Sequence, residues 1–206
     1  MFEVPVVARY GTPAPDRPMV VLLHGRGSSE ADIVGLAGHL PAGPEYVAVR
    51  APISEGGGYA WFANRGIGRP VAQSLAETTA WFRDWLDETA AGRPVVLVGF
   101  SGGAAFAGGL LLGDPERWAG VAVLYGTLPF EDAGMDVSHG RLAGVPVLVA
   151  QGEADTVIPR ELLDRTWTWL HDGSGASVTG HRDAGGHGLT AGALEVLAGW
   201  VEGCTR

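Results

Sequence analysis

A second cysteine is missing from this sequence, so Cys204 cannot form a disulfide within the chain. Nothing then calls for an oxidising compartment, and the lone thiol reads as incidental. Also missing is any run near the roughly 18 apolar residues that a membrane-spanning helix requires. The opening residues, Met1-Phe2-Glu3-Val4-Pro5, lack the basic stretch and long apolar segment of a secretory signal. A cytoplasmic protein is the expectation. Positive charge is in short supply: Lys and Arg number 14 against 23 Asp and Glu, a net charge of −9. That balance argues against a nucleic-acid partner, whose phosphates demand the opposite sign. It reads instead as a solubility device. Charged residues make up only 18% and hydrophobic ones 46%, which excludes wholesale disorder and supports a large core. The acidic residues Asp132, Asp136 and Asp183 lack clustered His or Cys at ligand spacing, so no metal site is expected.

What is present is a regular alternation. At 206 residues the chain is expected to form one domain over residues 1–206. Apolar runs at 19–23, 46–49, 95–99, 121–125, 145–150 and 176–181 read as strands. Most are continuous rather than alternating, as in strands covered on both faces of a parallel sheet. A further strand at 4–10 is interrupted by Pro5. Helices are expected at 30–40, 72–90, 102–112, 160–171 and 191–201. In the second, Leu75, Thr79, Phe82, Leu86 and Thr89 form one stripe at core-facing spacing. This order predicts an α/β fold, a mostly parallel sheet with helices on both faces. Two Gly/Pro-rich loops, 53–70 and 126–144, interrupt it. The 19 or so residues between the strands at 121–125 and 145–150 are too few for a lid domain.

The chemistry concentrates at Gly99-Phe100-Ser101-Gly102-Gly103, directly after the apolar run at 94–98. Gly-x-Ser-x-Gly closing a buried strand and opening a helix is the pattern of a nucleophile elbow. The pentapeptide alone is weak evidence. Eight serines in a chain with 33 glycines give roughly 0.2 chance matches, so context must carry the assignment. An activated serine needs a base, a carboxylate that orients the base, and N–H donors for the oxyanion. The base candidate is His187, set between Gly185-Gly186 and Gly188 after the final strand. His24, His39, His139, His171 and His181 lack that combination of loop and position. The acid candidate is Asp155, in the loop after 145–150, with Glu153 as a competitor. Pro159 and Arg160 open the next helix and leave Asp155 in the loop proper. The order Ser, Asp, His suits an α/β-hydrolase. The oxyanion candidates are the backbone N–H groups of Gly102, at a helix N-terminus, and of Arg26, in the loop after 19–23. The Arg26 guanidinium reads as solvated.

These pieces bring the chain to a family. Leu23-His24-Gly25-Arg26-Gly27, Trp61-Phe62, the serine pentapeptide, Gly152-Glu153-Ala154-Asp155 and Gly186-His187 resemble the phospholipase/carboxylesterase branch of the α/β-hydrolases. That lidless group includes acyl-protein thioesterases and small bacterial carboxylesterases. The resemblance implies an α/β-hydrolase fold without a lid and a triad of Ser101, Asp155 and His187. It also implies oxyanion donors at Arg26 and Gly102 and a pocket wall at Trp61 and Phe62. Relatives often carry Gln or Asn where this chain has Gly102, His where it has Gln151, and Pro where it has Thr156.

The expected activity is therefore hydrolysis of short- to medium-chain carboxylic esters through an acyl-enzyme, with no metal or organic cofactor. The partner is a small-molecule ester, and the protein is a monomer or homodimer. Thioesters or lysophospholipids on the same triad are the alternative, and a hydrolase-fold binding protein with negligible turnover is a more distant one.

Overall fold

The computed structural model describes residues 2–131 and 134–206. Nine strands and five α-helices are formed by these residues. Seven strands make one sheet in the order β1-β3-β2-β6-β7-β8-β9. They are β1 Val7–Tyr10, β2 Met19–Leu23, β3 Glu45–Val49, β6 Val95–Phe100, β7 Gly120–Leu124, β8 Pro146–Gly152 and β9 Ser177–Asp183. Only β1 is antiparallel, pairing with β3 from Val7 opposite Val49 to Tyr10 opposite Tyr46. The other ladders are parallel. β2 and β3 are buried throughout, and β6 is buried up to its last residue, Phe100. The reason lies in the covering layers.

Alternate strand residues face two separate apolar clusters. On one face, Val21, Leu97 and Val123 pack with α2 (Ala72–Thr89) and α3 (Gly102–Gly113). On the other, Leu22, Val98 and Ala122 pack with α5 (Ala191–Cys204) and the segment after α1 (Glu30–Ile33). Strands covered on both sides cannot alternate polar and apolar residues, which explains their continuous apolar runs. The open α/β sheet so formed is that of an α/β-hydrolase.

Several boundaries differ from the sequence expectation, each for a local reason. The helix expected at 30–40 is a four-residue α-helix followed by a 3₁₀ helix, Val34–His39, because Gly35 and Gly38 weaken an α-helix there. The fourth helix, α4, spans Arg160–Thr168 and passes into a π-helical turn at Trp169–Gly173. On α2 the buried stripe runs through Thr78, not Thr79, with Leu75, Phe82 and Leu86. The last strand extends to Asp183. Tyr125 lies outside β7, in a left-handed conformation with φ +49°. The loop at 53–70 contains a small hairpin, β4 Ile53–Glu55 and β5 Gly58–Ala60, too short to stand out in the sequence. Asp132, in the other Gly-rich loop, lies outside the described residues.

Candidate active site

β6 ends in the middle of the sheet, and the chain turns sharply there into α3. Ser101 sits at the corner with φ +54° and ψ −113°. A non-glycine residue held at positive φ costs about 1–3 kcal/mol and persists only where its surroundings over-determine it. Two glycines make the corner reachable. A Cβ on Gly99 would lie 2.3 Å from the Gly103 carbonyl oxygen, and one on Gly103 would lie 2.1 Å from that of Leu23. The Ser101 N–H donates to the Leu124 carbonyl at 2.9 Å, tying the corner to β7. Its side chain is thus presented above the sheet at the N-terminus of α3, where the helix dipole is positive.

Three expected residues meet at this point. His187 Nε2 lies 2.9 Å from Ser101 Oγ. His187 Nδ1 lies 2.8 Å from Asp155 Oδ2. A carboxylate only accepts, so Nδ1–H donates to Asp155, and the Nε2 lone pair faces the Ser101 hydroxyl. The other Asp155 oxygen accepts the N–H groups of Val157 at 2.8 Å and Ile158 at 3.0 Å. Burial opposes ionisation of Asp155. The hydrogen bonds from His187, Ile158 and Val157 outweigh it and hold the carboxyl below its usual pKa. Glu153, the competing carboxylate, is solvent-exposed, and its backbone N–H donates to the Asp183 carbonyl at 2.7 Å.

The loop that carries His187 runs from the end of β9 to the start of α5, and both its ends converge on Asp183. One Asp183 oxygen accepts the Gly185 N–H at 2.7 Å. The other accepts the Thr190 hydroxyl at 2.8 Å and the Tyr125 hydroxyl at 2.7 Å. Thr190 in turn caps α5 by accepting the Ala193 N–H. Burial opposes the Asp183 charge too, but these donors hold its pKa below the ordinary value. Burial and the Asp183 contact push the Tyr125 hydroxyl up to about 12. Phe100 lies between the rings, with its centroid 6.0 Å from Tyr125 and 5.2 Å from His187. Sequence reading missed Tyr125, Asp183 and Thr190. The available signal was Thr190 directly before an apolar helix, a cap position within reach of the end of β9.

The loop after β2 closes the site from the other side. A Cβ on Gly102 would lie 3.0 Å from the Arg26 nitrogen, so the two backbone N–H groups named by sequence are neighbours beside Ser101. His24 anchors this loop. Its Nδ1–H donates to Gly25 O at 2.8 Å, and its Nε2 accepts the Ala51 N–H at 3.1 Å. Both ring nitrogens are occupied, and an Nε2 that accepts carries no proton; burial lowers the ring's pKa in the same direction. The Arg26 guanidinium is exposed to solvent, as expected, and is ion-paired there as well. It pairs through two nitrogens with the Glu55 carboxylate and donates to the Phe62 carbonyl at 2.9 Å. The expectation for Trp61 needs correction. Its ring is 1% exposed, stacks on Phe106 with centroids 4.6 Å apart, and donates through Nε1 to the His24 carbonyl. Trp61 therefore belongs to the core beneath the oxyanion loop, while its neighbour Phe62 lines the cavity. That cavity, about 600 Å³, opens over Ser101 and His187 and is lined mainly by apolar side chains.

The model of the phospholipase/carboxylesterase family matches residues 6–187. The chain belongs to that family. It is 29% identical over 190 residues to the protein named “Putative hydrolase MhqD” of Bacillus subtilis (strain 168), an alignment covering 89% of this chain and 92% of that protein. Among solved structures it resembles the Bacillus cereus carboxylesterase, with a TM-score of 0.83 and 26% identity over 97% of this chain and 94% of that one. It also resembles a carboxylesterase from Mesorhizobium loti, with a TM-score of 0.79 and 25% identity over 91% and 90%. For a phospholipase/carboxylesterase family member with such neighbours, a hydrolase activity of the esterase kind is supported. Among the described residues no helix is long and apolar enough to cross a membrane.

Proposed function

We propose that this chain is a serine carboxylesterase with Ser101 as nucleophile, His187 as general base and acid, and Asp155 as the carboxylate that orients the imidazole. The observation that carries the reading is the unbroken chain of hydrogen bonds from Ser101 Oγ to His187 at 2.9 Å and on to Asp155 at 2.8 Å. In the first half-reaction Ser101 Oγ attacks the ester carbonyl carbon while Nε2 takes its proton. The carbonyl oxygen becomes an oxyanion against the Arg26 and Gly102 N–H groups. The carbon–oxygen bond to the alcohol then breaks, and the alcohol leaves with the proton from Nε2. Water repeats the sequence on the acyl-enzyme and releases the carboxylic acid.

The substrates we propose are esters of short to medium acyl chains, with Phe62 as part of the apolar wall. The stretch between β7 and β8 is too short for a lid domain, so added methylenes should stop gaining contact once they pass the mouth. Each buried methylene contributes about 0.8 kcal/mol, so kcat/KM should rise from acetate to butyrate and level off by octanoate.

Two measurements test the reading. A fluorophosphonate probe should label the protein once, at Ser101, and steady turnover of a nitrophenyl butyrate ester should follow an acylation burst. Labelling elsewhere, or a single slow acylation without turnover, would refute it. The acid is tested separately: Asp155→Asn should lower kcat by about 10⁴, since the amide favours the wrong imidazole tautomer. Glu153→Gln should stay near wild type, and the reverse ranking would move the role to Glu153.

A further inference from the structure

The cavity above Ser101 is not a one-sided groove. Its apolar lining includes residues of both clusters that the sheet separates, beside Ile67, Val157 and Ile158, which belong to neither. Phe62 and Ala105 belong with the layer formed by α2 and α3. Ile33, Leu36 and Leu189 belong with the layer formed by α1, its following turn and α5. Ser101 stands between them, at the end of the central strand β6, whose flanking strands β2 and β7 separate the same two layers. Lining residues of the cleft therefore come from both sides of the sheet, with the reacting hydroxyl between them.

The polar groups at the divide leave little for a charged substrate. The chain contains no lysine, and among the described residues lining the cavity Arg26 is the one arginine. Its guanidinium is committed to Glu55 and to the Phe62 carbonyl. His24 is occupied at both nitrogens. Asp32, the one carboxylate in the lining, accepts from Ser28 and Ser29 as the cap of α1. An anionic group carried into the cleft would lose hydration without gaining a free counter-ion, which is unfavourable.

We infer that the cleft is bipartite, with one apolar lobe on each side of Ser101, and selects uncharged esters that carry an apolar group of comparable size on each side of the ester bond. This rests on the esterase reading and deepens it. A planar ester held at Ser101 directs its acyl chain and its alkoxy chain to opposite sides of the carbonyl carbon. Only a substrate with carbon on both sides fills both lobes. A methyl ester of a long acid leaves one lobe to water, and an acetate of a long alcohol leaves the other.

Isomeric esters separate this from a one-sided pocket, because total apolar surface is then constant. Methyl octanoate, butyl pentanoate and heptyl acetate share one formula and differ only in where the ester bond lies. Butyl pentanoate should have the highest kcat/KM, by about tenfold over either isomer, given about 0.8 kcal/mol for each methylene brought into contact. A maximum at either end of the series would overturn the inference. Filling one lobe at a time sharpens the test. Ala105→Leu and Leu36→Trp should displace the optimum in opposite directions along the series, and a shift in the same direction would mean one continuous pocket. Binding without turnover distinguishes failure of this inference from failure of the esterase reading. At equal concentration dibutyl ketone should raise the melting temperature more than heptyl methyl ketone, its isomer. An equal or reversed ranking, or no stabilisation by either ketone, would sink the bipartite cleft even if esters are hydrolysed. The predicted ranking with no ester turnover would leave the cleft standing and remove the esterase.

Discussion

The serine corner and the histidine loop lie one hydrogen bond apart and are held by opposite means. The corner is fixed by backbone. Ser101 is locked at positive φ because Gly99 and Gly103 let main chain approach main chain where no Cβ fits. The loop is fixed by side chains, with Asp183 gathering Gly185, Thr190 and Tyr125 around one carboxylate. A backbone corner cannot be adjusted without moving strands. A side-chain latch can be loosened one hydrogen bond at a time. The elbow is therefore the rigid reference of the site, and the histidine is the part whose placement can be tuned.

Removing the reacting group itself should erase that contrast. Ser101→Ala and His187→Ala should each lower kcat by roughly 10⁶, the scale of losing a member of such a triad, with circular dichroism unchanged. His181→Ala, beside Asp183 but not at Ser101, should keep most of the activity. A His181 variant more damaged than the His187 variant would place the base elsewhere.

The supports should then behave differently. Gly103→Ala puts a methyl group 2.1 Å from the Leu23 oxygen, and no side chain is available to yield. The corner or β2 must move, and a shift near 1 Å at a reacting group costs about 10² in rate. Lower kcat together with a lower melting temperature is the expected pair. A variant as stable and active as wild type would show that the corner is softer than its geometry implies.

This contrast also explains what could be read from the sequence. Backbone crowding leaves a local trace, since only glycine fits, and so Gly99, Ser101 and Gly103 stood out as a pentapeptide. The parallel α/β sheet was legible for a similar reason, in buried strands that read as continuous apolar runs; the α/β-hydrolase fold came from the resemblance of the motifs. The latch left only the Thr190 cap position as a trace, because Tyr125 and Asp183 are 58 residues apart and each looks ordinary in its own neighbourhood. Trp61 and Phe62 show the same limit at closer range. Successive side chains after β5 point to different environments, and composition cannot say which one meets the core. The exposed Arg26 guanidinium has a partner that the sequence does not disclose, because Glu55 lies on a hairpin of three-residue strands without a repeating pattern.

Loosening the latch should affect rate before it affects the fold. Tyr125→Phe removes one hydroxyl and keeps the ring against Phe100. We expect kcat to fall about tenfold with KM within about twofold, because the histidine is displaced while the cleft is not. Thr190→Val should act in the same direction, and Thr190→Ser, which restores the hydroxyl, should recover most of the rate. If Tyr125→Phe lowers the melting temperature while kcat stays intact, the latch merely stabilises the fold.

The smallest effect concerns pH, and it asks whether the latch works through the Asp183 charge. Asp183 is held below the ordinary carboxylate pKa in the folded protein, with burial opposing that shift and the Tyr125 and Thr190 hydroxyls and the Gly185 N–H producing it. A carboxylate depressed by folding contributes stability that is fully present above its unfolded pKa, about 3.9, and is lost as pH falls through its lower folded value. The Tyr125 hydroxyl, pushed up to about 12, remains a donor across this range. Its bond to the ionised carboxylate should contribute about 2 kcal/mol, and its bond to the neutral acid about 1 kcal/mol. The deficit in unfolding free energy of Tyr125→Phe against wild type should therefore be largest at neutral pH and shrink by about half well below pH 3.9. Denaturant melts of the two proteins at neutral pH and in acid give both deficits. A deficit that does not change with pH would mean that the hydroxyl acts through packing alone, and that the loop is held by shape rather than by charge.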